Sequence, residues 1–320
     1  MKKSLLTIAI CSLAFVGYTQ QDPQMTFWMF DRLSFNSAAA GMEDCHCGSI
    51  FYRNQWTGFE RAPKTGLFNY NGAFAANNFK FGAGLTFFRD ALGQETNSVF
   101  RGHFAPKFDL GGKTLALGIN IGATNKRFGD NFNPIDENDS SIPSNEVAQT
   151  VFDIGLGAMI YEQDKYYFGV SVTHLTAPEF SDLFYKSAAH MYIMGGYNFP
   201  IGSGPLELRT NALVKSDLAV TPAFDVNANV LWNKFLFGGL TFRPGDAIAP
   251  MAGLEWKFPT KNTNGGRTEL NQKLRLGYTY DITTSEIRNY SSGSHEFFVT
   301  YCFNMVTSPI RAKHNNPRFL

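Results

Sequence analysis

The strongest constraint on the fold is a regular alternation of apolar and polar side chains along the chain. Residues 273–281, KLRLGYTYD, carry Leu, Leu, Tyr and Tyr at every second position, with Lys, Arg, Gly, Thr and Asp between them. The same pattern recurs in residues 115–122, 152–160, 206–215 and 224–232. Because alternate side chains of a β-strand point to opposite faces, this period of two residues predicts strands with one apolar and one polar face.

Composition narrows the class of β-protein. Charged residues make up 17% of the 320 residues, whereas an average soluble domain has about a quarter. No long uninterrupted run of apolar residues is present, which excludes a helical membrane protein. The formal net charge of +1 provides no basic surface for a nucleic-acid partner. What remains is a β-rich chain that forms one large domain or one barrel.

Fourteen alternating segments can be counted in the sequence, an even number, as in bacterial single-chain outer-membrane barrels. Their connections alternate between short turns and longer loops, and the short turns of such barrels face the periplasm. The sequence therefore predicts an all-β fold, a transmembrane outer-membrane β-barrel of about 14 antiparallel strands. The strand register between residues 244 and 270 stays open, because the connection at 244–246 is short where a long loop is expected, and the connection at 258–270 is long where a tight turn is expected. The predicted strands are 47–54, 66–76, 79–89, 97–108, 114–124, 150–161, 166–175, 187–199, 205–215, 222–232, 235–243, 247–257, 271–281 and 293–303.

The start of the chain has the order of a secretory signal peptide. Lys2 and Lys3 precede an apolar run from Leu5 to Phe15, and small and polar residues follow it. We therefore expect a signal peptide in residues 1–19, a periplasmic N-terminal segment in 20–46, the barrel in 47–303 and a periplasmic tail in 304–320. Plugging of the lumen, or disorder, is the alternative for both terminal segments.

Charged side chains and glycines occupy the polar faces of several predicted strands. Opposite charges at these positions could pair across strands, or they could form a solute-selective constriction. Glycines such as Gly82 and Gly157 lie within strands, where a small residue relieves crowding on a lumen face. The charged positions are Lys273, Arg275, Asp281, Glu296, Glu207, Arg209, Lys215 and Asp225.

No motif indicates catalysis, a metal or a cofactor. The six histidines are scattered along the chain without the spacing of a metal site, and nucleophile and phosphate-binding motifs are absent from the sequence. His295 and Glu296 are adjacent on a predicted strand, so their side chains point to opposite faces and do not converge. We expect a non-enzymatic protein with no catalytic, metal-binding or cofactor-binding residues.

Three cysteines remain once the signal peptide is removed, and they are Cys45, Cys47 and Cys302. The first and last strands of a closed barrel are neighbours, and in an oxidising compartment Cys302 could form a disulfide with Cys45 or with Cys47 across this seam. Free thiols, or a metal site at Cys45-His46-Cys47, are the alternatives.

Several blocks of the sequence resemble the PorP/SprF family. The resemblance covers essentially the whole mature chain, although Ser37 and Ala39 stand where the family usually has Pro and Tyr. The blocks are QDPQ at 21–24, YRNQWTG at 52–58, LGYTYD at 276–281, NYSSGSHE at 289–296 and NPRF at 316–319.

The resemblance implies an outer-membrane barrel of the type IX secretion system of Bacteroidota-like bacteria. It implies a role in secretion and gliding, or in secretion and surface anchoring of an adhesin that carries a C-terminal sorting domain. Expected partners are outer-membrane lipid, the adhesin or its sorting domain, and other type IX secretion or gliding components. A passive porin or a hydrophobic-solute channel is the alternative function.

The family blocks supply two groups of candidate residues. The first group either binds the partner or fixes the first and last loops beside each other, and comprises Arg53, Asn54, Gln55, Trp56, Asn289, Tyr290, Ser291, Ser292, His295 and Glu296. The second group is expected to contact periplasmic components, and comprises Asp22, Pro23, Gln24, Asn316, Pro317, Arg318 and Phe319.

Overall fold

The computed structural model of the chain describes residues 24–129, 145–183, 185–217, 222–258 and 272–304. One short helix, α1 (Arg32–Phe35), and a 3-10 turn (Ser37–Ala39) precede the first strand. The strands are β1 (His46–Asn54), β2 (Lys64–Ala76), β3 (Phe79–Leu92), β4 (Glu95–Asp109), β5 (Thr114–Phe128), β6 (Val147–Glu162), β7 (Tyr166–Thr173), β8 (Glu179–Phe180), β9 (Tyr185–Lys186), β10 (His190–Pro200), β11 (Leu206–Ser216), β12 (Ala223–Trp232), β13 (Leu236–Arg243), β14 (Ala247–Lys257), β15 (Lys273–Thr283) and β16 (Ser294–Phe303).

All described strands except the small β8–β9 hairpin form one closed antiparallel barrel of fourteen strands. Each strand pairs with its neighbours along the chain, and β1 pairs with β16 to close the seam. The predicted fold class is confirmed. The order β13, β14, β15 also settles the register that the sequence left open, because the connection at 244–246 is short and each strand pairs with the next.

The alternation predicted from the sequence corresponds to the two faces of the barrel wall. On β12, Asp225 and Asn227 are buried, whereas Phe224, Val226 and Trp232 are exposed on the outer face. An apolar outer face stabilises a barrel in a lipid bilayer, because the bilayer core solvates no polar side chains. Among the described residues, no helix is long and apolar enough to cross a membrane.

The lumen is filled by the plug segment, which we define as residues 24–45. Its side chains Phe27 and Trp28 are fully buried, and they form the core of the molecule together with inward-facing wall residues such as Phe51 and Phe298. Residues 24–45 therefore occupy the lumen, which is the plugging alternative that the sequence left open beside a periplasmic segment at 20–46. The apolar residues of the plug leave water only inside the barrel, and their burial stabilises this position.

The plug segment runs along the lumen from one end of the barrel to the other. We call the end that carries the β1–β2 connection the loop end, and the opposite end the turn end. Gln24 hydrogen bonds to Arg243 at the loop end, whereas Glu43 pairs with Lys273 at the turn end. The chain then enters β1, which begins at His46, one residue before the predicted start.

Two inward-facing glycines allow the plug backbone to approach the wall closely. A Cβ on Gly82 would lie 1.9 Å from the Ala40 carbonyl oxygen, and a Cβ on Gly118 would lie 2.1 Å from the Ala38 nitrogen. Both distances are far below van der Waals contact, so a larger residue at either position would displace the plug. The crowding expected at Gly82 from the sequence is thus crowding against the plug.

A disulfide joins Cys47 of β1 to Cys302 of β16, and these two residues are direct partners in the strand register. It closes the barrel seam covalently. Cys45 is a buried free thiol whose Sγ lies 3.4 Å from Sγ of Cys47. The signal peptide predicted at 1–19 and the tail beyond Asn304 lie outside the described residues.

Candidate functional site

An ionic cluster anchors the plug segment at the loop end of the lumen. Arg53, on β1, donates from Nη1 to Oε2 of Glu296 at 3.0 Å and from Nη2 to Oδ2 of Asp281 at 2.8 Å. All three side chains are at most 1% exposed. Glu296 lies opposite Arg53 in the β1–β16 register, so strand pairing itself brings these charges together.

The beginning of the plug completes this cluster. The backbone N–H groups of Thr26 and Phe27 donate to the two carboxylate oxygens of Glu296, at 2.7 and 2.9 Å. The Thr26 hydroxyl donates to Asp281 and accepts from Arg53. Hydrogen bonds to a buried carboxylate are about twice as strong as neutral ones, so Glu296 and Asp281 hold the plug and not only the wall.

Arg243, on β13, extends the cluster around the lumen. It donates to the Thr26 hydroxyl at 2.9 Å and to Asp246 at 2.6 Å, and it lies 3.5 Å from Asp281. Nε of Arg243 also lies 3.6 Å from Asp225. Asp225 pairs with Lys215 across the neighbouring strands β11 and β12, which is the cross-strand charge pairing that the sequence suggested. Removing one member of such a network is costly, because it leaves a charge buried without a partner.

A second ionic cluster holds the plug at the turn end. Glu43 pairs with Lys273 and lies 4.0 Å from Arg275, which also donates to Glu255 at 3.1 Å. The cross-strand compensation considered from the sequence is therefore only partly correct: Lys273 and Arg275 sit at the opposite end of β15 from Asp281. Their main carboxylate partners come from the plug and from β14.

Polar side chains fix the middle of the plug to the wall. Asn36 donates to the carbonyl oxygens of Ala158 and Val170. Its side-chain oxygen accepts from the backbone N–H of Ala38 and thereby caps the 3-10 turn Ser37–Ala39. Asn120, on β5, donates to the Ser37 hydroxyl at 2.7 Å. The plug is thus bonded to the wall at its start, its middle and its end.

The first and last loops lie against each other above the seam. We define the seam platform as residues 55–63 and 284–293. The N–H of Thr57 donates to the Gly293 carbonyl at 2.8 Å, and the N–H of Ser292 donates to the Thr57 carbonyl at 2.6 Å. The rings of Phe59 and Tyr290 approach to 6.3 Å on its surface.

Comparison with known protein families identifies the chain. The family described as type IX secretion system membrane protein PorP/SprF matches residues 17–301. This chain belongs to the PorP/SprF family. It is an outer-membrane β-barrel, and its family assigns it to the type IX secretion system. No curated protein matches the sequence.

Solved structures share only the barrel fold with this PorP/SprF chain. The toluene transporter TbuX of Ralstonia pickettii is 8% identical, with a TM-score of 0.51, and the match covers 85% of this chain and 93% of the transporter. A FadL homologue of Pseudomonas aeruginosa is 11% identical, with a TM-score of 0.49 and the same coverage of both chains.

The candidate residues of the PorP/SprF blocks separate into three groups in the structure. Arg53 and Glu296 face the lumen and hold the plug, so they are neither exposed to a partner nor part of a loop. His295 points to the other face of β16, where its Nδ1 lies 2.7 Å from the Tyr278 hydroxyl. The remaining members lie at or beside the seam platform, and they are Asn54, Gln55, Trp56, Asn289, Tyr290, Ser291 and Ser292.

Of the candidates for periplasmic contact, only Gln24 is described. It lies in the lumen at the loop end, where its Oε1 accepts a hydrogen bond from Arg243. Thr26, Phe27 and Arg243 are further anchors of the plug that no motif in the sequence indicated. The apolar run from Met25 to Phe30 was the available signal, because a segment exposed to the periplasm has no reason to carry it. Asp22, Pro23, Asn316, Pro317, Arg318 and Phe319 lie outside the described residues.

The three cysteines at the turn end form a compact cluster. Their sulfur atoms lie within 4.8 Å of one another, but two of them are joined in the disulfide. Cys45 therefore remains as the only thiol of this cluster. Burial, together with the nearby Glu43 carboxylate, raises the pKa of Cys45 to about 11. Because the thiolate is the reactive form, this pKa makes Cys45 a poor nucleophile at neutral pH.

Proposed function

We propose that this barrel binds an exported protein partner at its loop end, for secretion or surface anchoring. The partner is a surface adhesin or its C-terminal sorting domain, as its family suggests, and gliding motility is one process that such anchoring would serve. The proposed role is non-enzymatic: the barrel holds a polypeptide and transforms no substrate. It also implies contacts with other components of the secretion system.

The observation that carries this proposal is the plug, which is anchored at both ends of the lumen. Arg53, Asp281 and Glu296 hold its start, and Glu43 with Lys273 holds its end. A lumen filled in this way disfavours free diffusion of solutes, and thus disfavours the passive porin. A barrel with a filled lumen offers its partners the exposed loops.

The seam platform provides a suitable binding surface at the loop end. Tyr290 is 74% exposed and Phe59 is 40% exposed, and the exposed charged residues Glu60, Arg61 and Arg288 lie close to them in the sequence of the same two loops. Exposed aromatic side chains within a polar rim are typical of the centre of protein interfaces. The hydrogen bonds between the two loops hold this surface in one arrangement, which lowers the entropy cost of binding.

A pull-down from native membranes tests the proposal. The tagged protein is solubilised in a mild detergent, and mass spectrometry identifies what co-purifies. We expect a large secreted protein with a sorting domain, or another type IX component, in near-stoichiometric amount. The double variant Phe59→Ser, Tyr290→Ser should lose it, whereas Leu175→Ser should retain it, because Leu175 is a similarly exposed apolar residue in a different loop.

Two results would overturn the proposal. One is a barrel that purifies alone from its native membrane, and the other is equal partner recovery from the double variant and from the Leu175→Ser control. In either case conductance in planar bilayers is the next measurement. Large conductance of the native protein would then establish the passive channel, the alternative that the sequence left open.

A further inference from the structure

A cavity of about 360 Å³ lies between the plug segment and the inner face of the barrel wall. Its volume is near the lower end of the usual range of small-molecule sites, roughly 300 to 1,000 Å³, so it suits a small molecule and not a folded partner. Its mouth is at the loop end, where Leu92 is half exposed beside the β3–β4 turn. Much of the lining is apolar and comes from both the plug and the wall, namely Met25, Phe35, Leu67, Phe88, Val99 and Tyr192.

Arg101, on β4, lies at the floor of this cavity, away from the other charged residues of the lining. Glu95 begins β4 at the mouth, where it pairs with Lys126, and Asp90 lies near the mouth at the end of β3. Arg101 is six residues further along β4 than Glu95, which corresponds to about 20 Å of extended strand. Val99 lies between them on the same face, so an apolar section of the lining separates the mouth from the floor.

The guanidinium group of Arg101 forms no ion pair among the described residues, although it is only 9% exposed. Its Nη2 lies 3.2 Å from Nε2 of His174, and Nδ1 of that ring lies 2.7 Å from Asp153, which is not among the lining residues. Nε and Nη1 of Arg101 have no partner in the described part of the chain and are not fully enclosed, so they can donate to a molecule in the cavity. Because a buried cation without an anionic partner is costly, an anion at the floor would be stabilising.

The plug carboxyl group that lines the cavity, Asp31, does not supply this anion. Its Oδ1 accepts hydrogen bonds from Ser34 and Asn69, and its Oδ2 is enclosed by the protein. Burial raises the pKa of Asp31 to about 8, so this carboxyl group is mostly protonated and uncharged at neutral pH. Arg101 is therefore the charge that a molecule at the floor of the cavity meets.

We propose that this cavity binds a small apolar molecule that carries a carboxylate. The carboxylate accepts hydrogen bonds from Arg101, and the apolar body packs against Phe35, Leu67 and Val99. A guanidinium group has five N–H donors in a fixed fork that matches a carboxylate, and such charge-assisted bonds are about twice as strong as neutral ones. An alcohol or an ammonium group of the same shape gains no ion pair at Arg101. This site is internal and separate from the seam platform, and it does not depend on the partner binding proposed there.

Equilibrium dialysis of the full-length protein in lipid nanodiscs at neutral pH tests the proposal, with empty nanodiscs as the reference for partition into lipid. The probes are phenylbutyrate, phenylbutanol and phenylbutylamine, which share one apolar body and differ in the polar group. We expect saturable binding of phenylbutyrate to one site per barrel. The alcohol and the amine should bind at least tenfold more weakly.

Two variants locate the binding in the cavity. Arg101→Met removes the cation and should weaken phenylbutyrate binding at least tenfold, without weakening the binding of the alcohol. Val99→Phe fills the cavity and should abolish the binding of phenylbutyrate and of the alcohol. Arg127→Met is the matched control, because Arg127 is an exposed arginine of β5 that pairs with Glu146 outside the cavity lining. This control should leave the binding of phenylbutyrate unchanged.

Several results would overturn the proposal. These are the absence of saturable phenylbutyrate binding, binding of the alcohol or the amine that is as tight as that of phenylbutyrate, and unchanged phenylbutyrate binding in either cavity variant. Heat-modifiable gel mobility and the intact Cys47–Cys302 disulfide verify that each variant is folded. The comparison of the three probes on the native protein decides the matter even if a variant does not fold.

Discussion

The replacement Arg53→Met should strongly destabilise the barrel. Arg53 is 1% exposed and is the closest cation to both Asp281 and Glu296. After its removal, Asp281 keeps Arg243 at 3.5 Å, but Glu296 keeps, among the described residues, only the N–H groups of Thr26 and Phe27. One buried carboxylate is then without a cation, which costs about 3–5 kcal/mol in the free energy of unfolding.

A double-mutant cycle isolates the contribution of the ion pair. Glu296→Gln alone should cost about 1–2 kcal/mol, because Arg53 retains Asp281 while one hydrogen bond to the plug is lost. In the double variant no unpaired Glu296 charge remains. The double variant should therefore lose about 2 kcal/mol less free energy of unfolding than the sum of the two single variants.

Urea-dependent unfolding in lipid vesicles measures these energies, and the fraction folded is read from heat-modifiable gel mobility at several urea concentrations. Arg288→Met is the matched control: Arg288 is exposed in the last loop, so the expected change is within about 0.5 kcal/mol. A loss below about 1 kcal/mol for Arg53→Met, the size expected of an exposed ion pair, would contradict the buried role of Arg53. Single losses that simply add in the double variant would contradict it as well.

Three further predictions concern the plug and the cysteines. Gly118→Leu should raise single-channel conductance in planar bilayers, because the leucine side chain would occupy the place of the Ala38 backbone and displace the plug. A conductance equal to that of the native protein would show that the Gly118–Ala38 contact does not determine the position of the plug. Cys45 of the folded protein should resist alkylation at pH 8 and react faster as the pH rises towards its pKa of about 11. Full labelling is expected only after unfolding, so rapid stoichiometric labelling at pH 8 would contradict the burial of Cys45. Cys302→Ser should lower the free energy of unfolding by about 5 kcal/mol, because the disulfide joins residues 255 positions apart. A loss below about 1 kcal/mol, measured by urea titration, would show that strand pairing alone holds the seam.

The sequence was sufficient for the wall of the barrel. Alternation predicted the strands and their outward faces correctly, because the side-chain period of a strand is local and the outward-facing positions are mostly apolar where they contact lipid. Closure of the barrel also made a disulfide between Cys302 and one of two cysteines possible, beside free thiols or a metal site. Which of the two it was depended on a register in which Cys47 lies opposite Cys302, and a shift of one residue would move that side chain to the other face.

The position of the plug segment was decided only by the tertiary structure. Its anchors join residues far apart in the chain: Thr26 bonds to Glu296 across 270 positions and to Asp281 across 255. No local pattern encodes such contacts, and the same apolar run from Met25 to Phe30 is compatible with several kinds of partner. The closed barrel supplies the one surface that buries this run and pairs its polar ends. The sequence therefore indicates that these apolar residues are buried somewhere, but the three-dimensional arrangement of Arg53, Asp281 and Glu296 determines the place where they are buried.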